Sequence, residues 1–447
     1  MNLYDEPYRP QFHFTAQKNW LNDPNGLVYY KGEYHLFFQH NPESAKWGNM
    51  TWGHAVSPDM LHWKQLPHAI EPDELGTIFS GSAAVDWNNT AGFQTGDEKV
   101  IVNCYTSAGS HAPEPKPFTQ SIAYSNDRGR TYAKCEGNPV LGHIVGSNRD
   151  PRILWHKASG QWIMALYLDK NDYGLFGSPN LKEWTHLSSL ELPRASECPD
   201  FFELPLDGDP ENARWVFWGG NGRYLIGTFD GREFETESET QRSEWGKNCY
   251  AAQTWSDVPE SDGRTLQIGW MAGGSYPDMP FNQQMSFPCR LSLRSHPEGI
   301  RLCREPVREI ESIHGERHAL PCGALEPGTN PLSDVSGELF DIRAKIAPGG
   351  AAEVGFVIRG VEVRYDAGCE FLFCQGKAAP LDLVGDAIDL QILVDRTSIE
   401  IFGNQGEAVL SFCFLPEADN TRLDLFARGG AAEVRSLDVW ELKSVWR

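Results

Sequence analysis

A hairpin pattern recurs five times in the first two thirds of this 447-residue chain, and the repeat restricts the fold more than any other feature. One copy runs D-P-N-G-L-V-Y-Y-K-G-E-Y-H-L-F-F from Asp23, and another D-P-R-I-L-W-H-K-A-S-G-Q-W-I-M-A-L from Asp150. Less similar in letters, but alike in pattern, are the stretches Phe79 to Tyr105, Cys198 to Trp218 and Tyr250 to Trp270. Each is an apolar run, a turn and a second apolar run, the mark of a β-hairpin. After four of them comes a second hairpin whose last strand opens with an aromatic residue, such as H-A-V-S-P-D-M-L-H-W or L-F-G-S-P-N-L-K-E-W. Two hairpins make a four-stranded sheet, and five such sheets predict an all-β, five-bladed β-propeller. In the fifth copy, Cys289 to Leu293 and the N-terminal segment are expected to supply the missing strands and close the ring.

From about residue 335 the pattern changes. Strands such as G-E-L-F-D-I-R-A-K-I and L-Q-I-L-V-D alternate apolar and polar residues, and T-S-I-E-I-F-G-N-Q-G-E-A-V-L-S-F reads as a hairpin. The expected organisation is a propeller over residues 1–295, a linker over 296–334 with one short helix, and a β-sandwich over 335–447.

The net charge of −22 argues against nucleic acid and against an anionic membrane surface, because both need a basic footprint. It suits a neutral substrate. Fifteen Trp exceed what a core needs and fit sugar binding, since a flat ring packs on the apolar face of a sugar. Ten scattered cysteines form no C-x-x-C and no zinc-like spacing, so buried free thiols are expected, with no metal and no cofactor. The first residues, M-N-L-Y-D-E-P-Y-R-P, lack the features of a signal peptide. The expectation is a cytoplasmic protein, with a secreted form trimmed of its signal as the alternative.

Asp-Pro and Asn-Gly are strong turn dipeptides, so Asp23 and Asp150 taken singly read as turn formers. The repeat changes that reading. In a propeller the innermost strands converge on one channel. Asp23 and Asp150 open two of those strands and Glu197 precedes a third. Three carboxyls far apart in the chain then meet at one mouth, beside Trp20, Trp47 and Arg149. Glycoside hydrolysis needs such a set: one carboxylate facing an oxocarbenium-like carbon, and one carboxylic acid to protonate the leaving oxygen.

W-L-N-D-P-N-G, F-S-G-S, R-D-P and E-C-P, in that order, resemble glycoside hydrolase family 32, the β-fructosidases. D-L-Q-I-L-V-D-R-T-S-I-E-I-F-G-N-Q-G-E resembles the family's C-terminal β-sandwich. The resemblance implies Asp23 as nucleophile, Glu197 as general acid/base and Asp150 as transition-state stabiliser. It implies Asn22, Gln39, Trp47, Phe79, Ser80 and Arg149 as the lining of a fructose pocket. Trp52 and His54 are read as support, and Cys198 as packing that keeps Glu197 dry. The implied activity is retaining, exo-acting and metal-free hydrolysis of terminal β-D-fructofuranosides, with the two carboxyls about 5–5.5 Å apart. The fifth-copy segment M-A-G-G-S-Y-P-D-M-P-F-N-Q-Q-M-S-F-P favours fructan exo-enzymes of the levan or inulin type that also take sucrose; Pro280, Phe281 and Asn282 stand where some relatives carry a Trp, a departure from the family pattern at the outer subsite. An invertase, a sucrose 6-phosphate hydrolase and a fructosyltransferase remain open. So do a non-catalytic sugar-binding propeller and an inverting five-bladed glycosidase.

Overall fold

The computed structural model describes residues 3–112, 114–417 and 419–446. Five antiparallel blades of four strands follow one another along the chain, blades 4 and 5 being joined by a single parallel pair, Leu206 with Leu293. Blade 1 comprises Asn19–Tyr30, Glu33–Asn41, Thr51–Ser57 and Lys64–Ile70. Blade 2 comprises Thr77–Asp86, Val100–Ala108, Thr119–Ser125 and Ala133–Lys134. Blade 3 comprises Arg149–His156, Gln161–Asp169, Asp172–Ser178 and Thr185–Glu191. Blade 4 comprises Asp200–Leu206, Asp209–Trp218, Arg223–Phe229 and Phe234–Thr236. Blade 5 comprises Tyr250–Thr254, Thr265–Trp270, Cys289–His296 and Gly299–Pro306.

The apolar residues divide as this architecture requires. Separate buried clusters fill the gaps between blades 1 and 2, 2 and 3, 3 and 4, and 4 and 5. A further cluster closes the ring between blades 5 and 1, where Phe12 and Phe14 of the N-terminal segment pack. Each blade thus has both faces covered, which is why its strands carry long apolar runs. The central channel is plugged by polar residues, one from each innermost strand. Asn25 accepts from the Gly81 amide, and the Ser82 hydroxyl donates to the Pro151 carbonyl at 2.8 Å. Arg152 pairs with Asp200 at 2.9 Å and donates to the Thr254 carbonyl, and the Thr254 amide donates to Asp200 at 2.6 Å. All five residues are buried, and these contacts tie neighbouring blades together.

Ring closure differs from the sequence reading. Both outer strands of blade 5 come from the chain that follows it, and the N-terminal segment adds none among the described residues. Residues Asn19 and Trp20 instead pair in parallel with Phe281 and Asn282. The stretch 296–334 is not a linker. Its first part forms the outer hairpin of blade 5, and His314–Ala319 and Gly323–Leu325 pair with Ala432–Leu442 of the sandwich. Between them lies a single short 3-10 turn, Arg308–Ile313. Interrupted alternation hid these strands, which sit at sheet edges and expose many residues.

The second domain stacks two antiparallel sheets around one core. It is bolted to the propeller through His13. The ring donates Nδ1–H to Asp395 at 2.8 Å and Nε2–H to Glu400 at 2.6 Å, all three side chains being buried. Both nitrogens donate, so the imidazole is charged. Burial opposes that charge, but the two carboxylates outweigh it and raise His13 to about 9. No helix among the described residues is long and apolar enough to cross a membrane.

An unfolded histidine titrates near 6.5, so His13 stabilises the fold fully below that pH and loses the contribution as pH rises through 9. His13→Gln is expected to cost about 2–4 kcal/mol at pH 6 and much less at pH 9.5, because a buried carboxylate pair loses its cation. Thermal unfolding of both proteins at the two pH values checks this; a cost independent of pH would refute it.

Candidate active site

The innermost strand of a blade carries an irregularity at the end that opens the channel, and it recurs. In blade 1, Leu21 and Pro24 pair with His40 and Phe38, which leaves one extra residue between them. The same bulge holds Phe79 and Ser80 in blade 2, Asp150 and Pro151 in blade 3, and Ala251 and Ala252 in blade 5. A bulge bends the strand and re-aims its side chains. It also explains Asp-Pro: proline's missing N–H costs nothing where the ladder is already broken. Asp23 and Pro24 therefore lie inside a continuous strand and not in a turn. In blade 4 the equivalent place is a backbone kink, with φ of +58° at Glu197 and +40° at Cys198; Asp150 has +64°. Such conformations are strained for residues with a Cβ, and here they turn carboxyls towards the channel mouth.

There the structure forms a pocket of about 410 Å³. All nine residues expected from the sequence line it: Asn22, Asp23, Gln39, Trp47, Phe79, Ser80, Arg149, Asp150 and Glu197. Five others do so as well: His111, Phe118, Ser147, Tyr250 and Trp270. Tyr250 was legible in principle, since it opens the fifth copy as Asp23 opens the first. His111 and Phe118 come from a long loop of blade 2 whose path no local pattern reveals.

Every blade contributes a group to the carboxyl cluster. Ser80 donates to Asp23 Oδ2 at 2.5 Å, and the Asn22 amide donates to Oδ1 at 3.1 Å. Trp20 Nε1–H donates to the Asn22 carbonyl oxygen at 2.8 Å, which orients that amide. Arg149 sits 2.6 Å from Glu197 Oε1 and 3.6 Å from Asp150 Oδ2, and Ser147 accepts from it. The Tyr250 hydroxyl donates to Glu197 Oε2 at 3.0 Å. The Cys198 amide donates to Asp150 Oδ2 at 3.1 Å. The Cys198 thiol does not dry Glu197 as the sequence reading had it. It lies between the other two carboxyls, 3.6 Å from Asp23 and 3.5 Å from Asp150, because the kink directs consecutive side chains apart.

Trp47 stands half exposed at the rim, edge-on to Phe79, with His111 against both rings. Trp52 and His54 stay outside the pocket. Trp52 donates its indole N–H to the Phe79 carbonyl at 3.0 Å, and His54 stacks on Phe37. Phe281 is buried under the Arg9 guanidinium and Asn282 donates to the Ala45 carbonyl, so this segment locks the ring.

The family models for the N-terminal and C-terminal domains of glycosyl hydrolases family 32 match residues 13–306 and 309–441. The chain belongs to glycoside hydrolase family 32. Along its whole length it is 42% identical to the levanase of Bacillus subtilis (strain 168), of which it spans 72%. It is 32% identical to the extracellular exo-inulinase of Aspergillus ficuum, with 99% of this chain and 96% of that protein covered. The fold matches the crystal structure of exo-inulinase from Aspergillus awamori with a TM-score of 0.90, at 30% identity and over all of both chains.

Burial raises Asp23, against the pull of Ser80 and Asn22. Burial also pushes Asp150 up to about 7; Arg149 opposes this, while the Glu197 and Asp23 charges add to it. An unfolded aspartate titrates near 3.9, so between about pH 4 and 7 the unfolded chain sheds a proton that the folded one keeps. Stability therefore falls as pH rises through this window. Asp150→Asn is expected to melt close to the parent at pH 4.5 and above it at pH 8, by about 1–3 kcal/mol. A melting difference that does not grow with pH would contradict the burial of this charge.

Proposed function

We propose that the protein is a retaining exo-β-fructosidase. It releases terminal β-D-fructofuranosyl units from levan- and inulin-type fructans, from fructo-oligosaccharides and from sucrose. One observation carries the reading: the gradient of exposure across the carboxyls. Asp150 is 6% exposed and lies deep in the pocket, whereas Glu197 is 35% exposed at the mouth. The plugged channel beneath leaves room for one terminal sugar, with the rest of the substrate directed past Glu197 to solvent. Kinship with a levanase and exo-inulinases supports the fructan preference.

In this reading Asp150 accepts hydrogen bonds from the furanose hydroxyls at the pocket floor. Glu197 gives its proton to the glycosidic oxygen as the bond to the anomeric carbon breaks, and the aglycone leaves through the mouth. Asp23 attacks that carbon from the opposite face and forms a fructosyl ester. Water then enters where the aglycone left. Glu197 takes its proton, the ester breaks, and fructose departs with the configuration retained. Ser80 and Asn22 each hold one oxygen of Asp23, so the nucleophile is aimed before substrate arrives. Tyr250 and Arg149 fix Glu197 in the same way. The rim aromatics Trp47 and Phe79 offer apolar faces to the sugar. Ten unpaired cysteines support a reducing, cytoplasmic setting.

Product analysis over time tests the proposal, with levan, inulin, sucrose and sucrose 6-phosphate as separate substrates. Free fructose is expected as the only small product of levan or inulin from the first time points, and sucrose is expected to be cleaved. A ladder of oligosaccharides would exclude exo action, and untouched polymers would make the protein an invertase. Asp23→Asn is expected to lower kcat by at least about a thousandfold with the fold intact. Added methanol should trap the intermediate as the methyl β-fructofuranoside; the α-anomer would refute retention.

A further inference from the structure

A second cavity, of about 620 Å³, lies in the cleft between blades 4 and 5 and the sandwich. It shares no residue with the fructose pocket. Its two ends differ in charge. At one end stand Arg194, Arg223 and Arg242. Arg223 and Arg242 face each other directly across an antiparallel strand pair, where like charges repel. Arg242 donates Nε–H to the Glu244 carbonyl at 2.6 Å and lies 4.8 Å over the Trp245 ring. No carboxylate pairs with any of the three guanidiniums among the described residues. Arg223 is pulled below its ordinary value by burial and by the Arg242 and Arg194 charges. Three unmatched cations in one cleft of a protein with a net charge of −22 call for an anion. The guanidinium fork fits a phosphate through paired N–H···O bonds.

The other end carries Glu298, Asp382 and Glu407. Glu298 pairs with Arg301 at 2.8 Å, and His296 lies 3.4 Å from Glu407 and 3.8 Å from Asp382. Carboxylate oxygens retain lone pairs beyond these contacts and accept well from sugar hydroxyls. The cavity lies in the size range of small-molecule sites. We propose that this cleft binds a phosphorylated monosaccharide, its phosphate on Arg194, Arg223 and Arg242 and its hydroxyls towards Glu298, Asp382 and Glu407. This site is separate from catalysis and goes beyond the reading of the fructose pocket.

Calorimetric titration at low ionic strength tests it, with saturating fructose present to fill the fructose pocket. The probes are glucose 6-phosphate and fructose 6-phosphate, with inorganic phosphate and glucose as controls. At least one sugar phosphate is expected to bind about tenfold tighter than inorganic phosphate, and glucose is expected not to bind. The double variant Arg223→Gln/Arg242→Gln is expected to weaken that binding at least about tenfold, the loss of charge-assisted hydrogen bonds. Its kcat/KM for sucrose should equal the parent's, and its melting temperature should be equal or higher, since a like-charge pair is gone. That separates loss of the site from loss of the fold, and from failure of the hydrolase reading. Absence of binding by both sugar phosphates, inorganic phosphate binding as tightly as they do, or undiminished binding by the double variant would each overturn the proposal.

Discussion

Three carboxyls crowded into one small cavity are the condition around which this molecule is arranged. Charges of one sign buried side by side resist both burial and each other. They stay together only where rigid surroundings supply donors at fixed positions. Here the donors come from the whole ring: Asn22 from blade 1, Ser80 from blade 2, Arg149 from blade 3, the Cys198 amide at the entry to blade 4, and Tyr250 from blade 5. No single blade could hold the cluster. The raised positions of Asp23 and Asp150 show that compensation is incomplete, as a site kept for chemistry requires.

Rigidity is built at two levels beneath the pocket. The buried polar plug of Asn25, Ser82, Arg152, Asp200 and Thr254 fixes the innermost strands against one another. Above it, a bulge in four innermost strands and a backbone kink at the entry to the other, in blade 4, turn similar strands into presenters of side chains. The strain at Asp150 and Glu197 is held by hydrogen bonds of their own backbone groups: the Asp150 amide donates to Thr106 of blade 2, and the Glu197 carbonyl accepts from Gly220 within blade 4. The sandwich adds the His13 bolt beside the seam where the ring begins and ends, and its Ser411 contacts with Glu244 brace the passage from blade 4 to blade 5.

Much of the site was legible because a repeat carries positional information. Once Asp23 and Asp150 were seen to open equivalent strands, their meeting followed from the geometry of a ring, and the nine expected residues do line one pocket. The readings that failed rested on local rules. Asp-Pro taken singly reads as a turn, but the broken ladder of a bulge accepts proline equally well. Cys198 was placed against its sequence neighbour Glu197, but two left-handed residues in succession send adjacent side chains different ways. The N-terminal segment is expected to supply a strand of blade 5, yet its contribution is the short parallel pairing of Asn19 and Trp20 with Phe281 and Asn282, which locks the ring.

The sequence by itself determined the all-β class, the five-fold repeat, the change to a sandwich and the identity of the carboxyl cluster. These follow from periodicity and from residue types at equivalent places, which are properties of the linear chain. Tertiary structure alone decided which groups bond to which carboxyl, how deep each one lies and what plugs the channel. It also brought His111 and Phe118 to the pocket, and set Arg194, Arg223 and Arg242 into one cleft. Those depend on the direction of side chains across blade and domain boundaries. A single strand contains no record of its neighbours' bulges, so that direction exists only once the ring has closed.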